Sequence, residues 1–417
     1  MKSSFTSRVL ARLLMLAFAC TGGAAFAAGT STAGDWNSTV TFNFVNDTKG
    51  QYADGQIHWA IIGKDWISHK FVHVDANGAL KEMKLEDNVK PKNQHNYADY
   101  FHTLAQQKTI TVPLIDSARI FFSVGAEPVY LAVNKDINGA IAYAGPNIEN
   151  PTDPNQDVIF DFIEMAIPPN QGIYINTTRV DHFGFPIRVR LQAADGYDQQ
   201  VGELPTLTRA QLFSDFSSIE PRQFQSLVKA PYRIIAPAHG TFRIDEKDGH
   251  YLDSYIDSVW EKYKLETLKI TLKVKDEDVV FTGQVETGGA FVFRTGKKDD
   301  NHSYRINRKP TTSEVMLGNG VLNDPTGDVV DDEVKQQLQI QAQICAALNR
   351  HVAEAKEKWA DAASFYPPNQ PSNTYSAFWH ERSINRLSYG FAYDDVSQAS
   401  SSLHHQAPTT ATVTIGW

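Results

Sequence analysis

The chain has 417 residues, a formal net charge of −9, 11% aromatic residues and two cysteines, a length that admits two to three domains with sizeable cores. Charged residues at 21% and hydrophobic residues at 42% exclude a largely disordered chain. The acidic balance argues against a nucleic-acid partner, and two cysteines exclude a disulfide scaffold and a four-cysteine zinc site.

Lys2, Arg8 and Arg12 precede the apolar run from Leu13 to Ala19, and Ala25-Phe26-Ala27 offers a small-residue cleavage site. Residues 1–27 therefore read as a secretory signal peptide, the run being too short to span a membrane. Lipid modification at Cys20 is the rival processing, but Ala17-Phe18-Ala19 matches that signal poorly. Cleavage after Ala27 removes three basic residues and no acid, which takes the net charge from −9 to −12 and leaves Cys345 as the one thiol. The mature chain is expected to be secreted, extracellular or periplasmic, with no membrane-spanning segment, and monomeric.

Residues 28–35 are small and polar and read as a linker. Alternating or β-rich runs follow at 39–45, 57–62, 109–114, 118–124, 158–163, 172–178 and 187–191. Turn residues separate them, and the spacing suggests a sandwich or barrel. After residue 200 the period changes. Helical spacing is predicted over 206–216, over 252–263 with Leu252, Tyr255, Ile256, Val259 and Tyr263 on one face, and over 331–359 with a stripe of Val334, Leu338, Ala342, Cys345, Leu348 and Val352. Strands are predicted at 269–275 and 279–285, and a closing strand at 413–415. The order is that of a mainly β chain with an α/β insertion.

The G-x-S-x-G, P-loop and H-E-x-x-H motifs do not occur. His404-His405 lacks further ligands at sensible spacing and reads as a solvated loop. Asp324-Pro-Thr-Gly-Asp reads as an acidic turn, since its spacing does not fit a calcium loop. Cys345 lies on an apolar helix stripe and reads as a packed core thiol. No metal or cofactor is expected. One constellation carries chemistry. A strand ending in Glu164 is joined through Pro168-Pro169-Asn170-Gln171-Gly172 to a second β segment, after which comes Asp181. Two such carboxylates facing one cleft suit glycoside cleavage, in which one acid protonates the leaving oxygen and one carboxylate activates water or attacks the sugar. The residues alone leave a second reading open, in which each acid is solvated or paired with Arg179 or Arg188.

Several stretches together resemble the glycoside hydrolase family 64 β-1,3-glucanases of the thaumatin-like superfamily. They are Phe160-Asp-Phe-Ile-Glu164, the run from Tyr174 through Asp181-His-Phe-Gly-Phe to Pro186, Arg233 to Gly240, Tyr251 to Tyr263, and Ile344 to Arg350. The segment Tyr389 to Asp395 and the strand at Thr39 to Asn46 look thaumatin-like. The resemblance implies a thaumatin-like β-barrel or sandwich domain (36–195, completed by 385–417) interrupted by a mixed α/β domain (196–384), the two enclosing a wide groove. It implies endo-type hydrolysis of β-1,3-glucan to short oligosaccharides with inversion, Glu164 as general acid and Asp181 as general base, and a carboxyl separation of roughly 6.5–9.5 Å. Phe162, Ile163 and Met165 are expected to desolvate Glu164.

Tyr174, Asn176 and Thr178 alternate along the strand before Asp181 and are the expected substrate-binding residues. Asp253, Tyr255, Asp257 and Trp260 are weaker candidates for the opposite wall, the two aromatics fitting a buried helix face better. Trp59 is expected in the core. His239-Gly240 is expected at a turn near the groove. Two departures from the family pattern stand out: Met165-Ala166 replaces a Thr after the catalytic Glu, and 316–322 lacks a cysteine. The competing reading is a thaumatin-like β-glucan-binding or defence protein without turnover.

Overall fold

Strands that alternate apolar and polar residues bury one face, and here two antiparallel-rich sheets bury those faces against each other. The computed structural model describes residues 39–417 except 299 and 331, so the signal-peptide and linker readings lie outside the described residues. The five-stranded sheet runs in the order Asp198–Gly202, Ile187–Ala193, Pro408–Gly416, Val40–Asp47, Thr109–Val112. Its parallel pair joins the first described strand to the last, with Thr41 opposite Thr410 and Asp47 opposite Gly416. The return to β at the chain end is therefore a central strand of the first sheet. This sheet continues to Gly202, past residue 195.

The eight-stranded sheet runs Ser402–His405, Ile173–Thr177, Ile159–Ile167, Ile115–Val124, Ile57–Lys64, Phe71–Val74, Leu80–Glu82, with His102–Thr103 also on Ile57–Lys64. Phe44, Trp59, Phe122, Ile163, Met165, Val189 and Val413 share the core between the sheets. Each such side chain fully buried contributes about 1.5–3 kcal/mol. Trp59 is in the core as expected, its indole N–H donating to Gln107 O (3.0 Å). His404 and His405 are not in a loop. They lie on the edge strand, whose single buried apolar residue, Leu403, is too weak a pattern to signal β structure.

The α/β part is built on a four-stranded antiparallel sheet, Leu268–Val274, Glu277–Val285, Phe291–Arg294 and Tyr304–Ile306. Helix Arg209–Ser217 starts where Thr208 and Gln211 form a capping box. Helix Asp253–Leu265 buries Tyr255, Ile256, Val259, Trp260 and Tyr263. Tyr255 and Trp260 thus belong to the core and not to a groove wall. The helix predicted over 331–359 spans Asp332–Asn349. His351 adopts a left-handed conformation (φ 54°) and Val352 N–H closes on Ala347 O (2.9 Å), a Schellman stop that no glycine announces. Cys345 is buried, its thiol against Val315 O, and burial pushes its pKa up.

One buried cation ties the sandwich to the segment that follows it. Arg179 reaches Glu203 through Nε (2.7 Å) and both oxygens of Asp161 through one terminal nitrogen (3.1 Å each). Burial raises the Asp161 pKa to about 6 despite the opposing charge of Arg179. The acids have further partners: Asp161 accepts from Gly184 N–H (2.8 Å) and Glu203 from Ile187 N–H (3.0 Å). A Cβ at Gly184 would sit 2.0 Å from Phe160 O, so only glycine permits this approach. Removing the cation strands two buried carboxylates. Arg179→Ala is expected to cost about 3–5 kcal/mol in urea unfolding. Arg190→Ala, which breaks the exposed pair with Asp198, is expected to cost less than about 1 kcal/mol. Equal losses would contradict this assignment.

Candidate active site

Directly opposite residues on antiparallel strands share a face and stand about 4.5–5.5 Å apart at Cβ. The register of the eight-stranded sheet therefore writes a row across it: Ile62, Arg119, Glu164, Asn176 and Ser402. The row lies on the face away from the sandwich core. Towards Ile159 that face is floored by Phe121, Phe160 and Phe162. Arg119 stacks over Phe162 (4.3 Å to the ring centre) and donates to Glu164 Oε1 from Nε (3.3 Å) and a terminal nitrogen (3.1 Å). Its other terminal nitrogen lies 3.8 Å from Asp181 Oδ2. One guanidinium thus stands between the two acids. Glu164 and Asp181 keep 25% and 32% of their side-chain surface exposed, so both remain reachable from solvent.

Asp181 follows the strand Ile173–Thr177 and is pinned through its own backbone. Its carbonyl accepts from Ala236 N–H (2.9 Å), and the next two residues pair with Ile235 and Ile234. His182 turns inward and its Nε2 bonds to Phe160 O (3.0 Å). Burial, helped by the charge of Arg233, pushes the His182 pKa down to about 3, so it is neutral. The same pairing carries His239 to the site at the end of the one-turn helix Pro237–His239. His239 Nε2 lies 3.4 Å from Asp181 Oδ1, and Nδ1 bonds to Glu149 Oε1 (2.6 Å). Arg243 holds the other oxygen of Glu149 (3.1 Å).

These charges set the protonation states. Burial alone would raise the Asp181 pKa, but the imidazole of His239 and the guanidinium of Arg119 outweigh it and hold Asp181 well below the usual carboxylate range. Burial alone would lower the His239 pKa, but Asp181 and Glu149 lift it to about 9. At neutral pH the pair is an ionised carboxylate against an imidazolium.

The structure brings Glu164 and Asp181 together, with Asn176 beside Glu164. Tyr174 lies one pair further along the same face, opposite Ala166, its ring stacked on His404 (4.0 Å). Thr178 is only 3% exposed and its hydroxyl accepts from Val180 N–H, so it does not present itself to the groove. Of the three residues expected to desolvate Glu164, only Phe162 shares its face of the sheet. Ile163 and Met165 point through the sheet into the sandwich core, as the pleat requires. The arginines near Asp181 in sequence are engaged elsewhere, Arg179 with Asp161 and Glu203, Arg188 with Asp47. Arg119, Glu149 and Arg243 carry no sequence signal, because only strand register and loop packing bring them here.

A sequence model of the β-1,3-glucanases of glycoside hydrolase family 64 matches residues 38–415. The chain belongs to this family. A glucan endo-1,3-beta-glucosidase of Cellulosimicrobium cellulans is 29% identical over 313 residues, 73% of this chain and 53% of that one. One from Arthrobacter sp. (strain YCWD3) matches equally. The chain spans about half the length of these curated relatives. The crystal structure of a family 64 β-1,3-glucanase domain from Clostridium beijerinckii is 40% identical and covers 92% of this chain and 100% of that one, with a TM-score of 0.82. The laminaripentaose-producing β-1,3-glucanase of Paenibacillus barengoltzii, solved with laminarihexaose, is 31% identical over 91% of this chain and 75% of that one, with a TM-score of 0.70.

The raised pKa of His239 has a consequence for stability. A group raised from about 6.5 to about 9 contributes fully below about pH 6.5 and loses its contribution as pH rises through 9. The Tm difference between wild type and His239→Gln is expected to be largest near pH 6 and to shrink by pH 10. A difference constant over that range would contradict the charged pair.

Proposed function

We propose that the protein is an exported endo-β-1,3-glucanase that cuts laminarin- or curdlan-type chains to short oligosaccharides with inversion at the anomeric carbon. The observation that carries this reading is the pair Glu164 and Asp181, both reachable from solvent and held apart by one guanidinium on an open sheet face. Glu164 gives its proton to the glycosidic oxygen as the bond from that oxygen to the anomeric carbon breaks. Asp181, already ionised, takes a proton from the water that bonds to the same carbon from the opposite face. Arg119, contacting both acids, keeps room between them for that water, consistent with an inverting separation of roughly 6.5–9.5 Å.

A neutral polymer needs hydrogen bonds and apolar platforms, not charge. Asn176 beside Glu164, and Tyr174 with its aromatic face, are the residues of this chain we assign to sugar contact. Membership of the family supports the reading of an α/β insertion in a thaumatin-like β domain as the source of the groove, the insertion beginning after the strand that ends at Gly202. The signal-peptide pattern of residues 1–27 supports export, and the chain is read as a monomer.

Incubation with laminarin or curdlan is expected to release reducing ends. Glu164→Gln and Asp181→Asn are each expected to lower the rate by about 10²–10⁴-fold with folding intact. No product from wild type across a pH series would leave a glucan-binding protein without turnover. Full activity in either variant would remove that residue from the site.

A further inference from the structure

Three elements converge on Asp181 in a way that acid–base hydrolysis by two carboxylates does not require. The strand pairing of His182 with Ile235 fixes where the following turn begins, and Ala236 N–H on Asp181 O fixes its distance. The turn then delivers His239, with Nε2 3.4 Å from Asp181 Oδ1. That nitrogen is buried and makes no hydrogen bond, and the Asp181 carboxylate is its ion-pair partner. Gly240 follows, packed against the Leu227 and Ile235 side chains. From the other side, Glu149 bonds Nδ1 (2.6 Å) and is itself gripped by Arg243, which also holds Glu246 (2.7 Å). A carboxylate on Nδ1 fixes the ring so that Nε2 stands on the side of Asp181, 3.4 Å from Oδ1. Nothing in the sequence-level pattern of His239-Gly240 explained its presence; this geometry does.

We propose that His239 is a positioning residue for Asp181: clamped by Glu149, it holds the base in place. The proposal rests on Asp181 being the base. The charged and titratable groups facing Asp181 are Arg119 from the neighbouring strand, neutral His182 beside it, Tyr375 from the helix Thr374–Glu381, and His239. Those facing His239 are Asp181 and Glu149. Arg119 also serves Glu164, so His239 is the cation dedicated to Asp181. Its loss leaves the burial that raises the carboxylate pKa opposed mainly by Arg119. His239 touches no sugar in this account, so its effect falls on turnover and on the pH dependence, not on KM.

The test is the pH profile of laminarin hydrolysis for wild type, His239→Gln and Glu149→Gln. The acid limb of kcat/KM is expected to move upward by about one pH unit in His239→Gln and by less in Glu149→Gln. In His239→Gln kcat at the plateau falls about tenfold or more, with KM within about twofold. Should His239→Gln fail to fold, Glu149→Gln, which does not touch Asp181, carries the prediction as the smaller upward shift of the acid limb. An acid limb unmoved in the folded variants, or an effect confined to KM, overturns the proposal. Asp181→Asn with wild-type activity would instead overturn the assignment of the base, and is read separately from the His239 result.

Discussion

The structure turns on one buried guanidinium. Arg179 spans Asp161, on an interior strand of the large sheet, and Glu203, just past the end of the five-stranded sheet. Its backbone carbonyl accepts from the Tyr375 hydroxyl (2.7 Å) and its N–H donates to Tyr389 O (2.8 Å). Charges this deeply buried are costly unless paired and hydrogen-bonded, so the two acids, the guanidinium and the backbone groups they hold adopt one arrangement together. Arg179 is two residues before Asp181. The position of the proposed base is thereby set by a network of sandwich, helix and closing-segment groups, not by the loop alone.

A second buried network closes the far side. Asp394 accepts from Arg350 (2.9 Å), Ser376 (2.9 Å) and Gly390 N–H (2.9 Å), and His380 Nε2 lies at 3.0 Å. Burial would raise the Asp394 pKa, but His380 and Arg350 bring it down to about 2. The stretch from Tyr389 to Asp395 is thus an anchor whose polar groups are satisfied inside the protein. Supports of this kind suit the proposed site, whose two carboxylates must keep their spacing. A free, buried Cys345 and no pairing partner for it among the described residues leave such networks and the apolar cores to hold the fold together.

Much of the framework was legible from residue spacing because its signals are local. A β-rich hydrophobic run marked the strand that holds Glu164, the short Pro-Gly connection implied its pairing with the next strand, and a 3.6-residue period marked the helix from Asp253. Short strands escaped notice where one or two apolar residues carry the pattern, as in Ser402–His405, and the long helix ended early at a left-handed histidine. At the site, the two carboxylates were visible as acids flanking paired strands. Arg119 was not, since the register that sets it opposite Glu164 spans strands 45 residues apart in sequence. His239 was noticed but unexplained, because its partners Asp181 and Glu149 come from two other segments. Thr178 shows the converse: strand alternation placed it with Tyr174 and Asn176, but the strand ends at Thr177 and the chain turns it inward.

The account's central claim is that Glu164 and Asp181 act on opposite sides of one bond, with a water between them. Proton NMR of the first products released from laminarin reads this directly, before mutarotation. New reducing ends appearing first as the α-anomer are the result the account predicts. New ends appearing first as the β-anomer would mean retention, a covalent intermediate and a closer pair of carboxylates, and would contradict it.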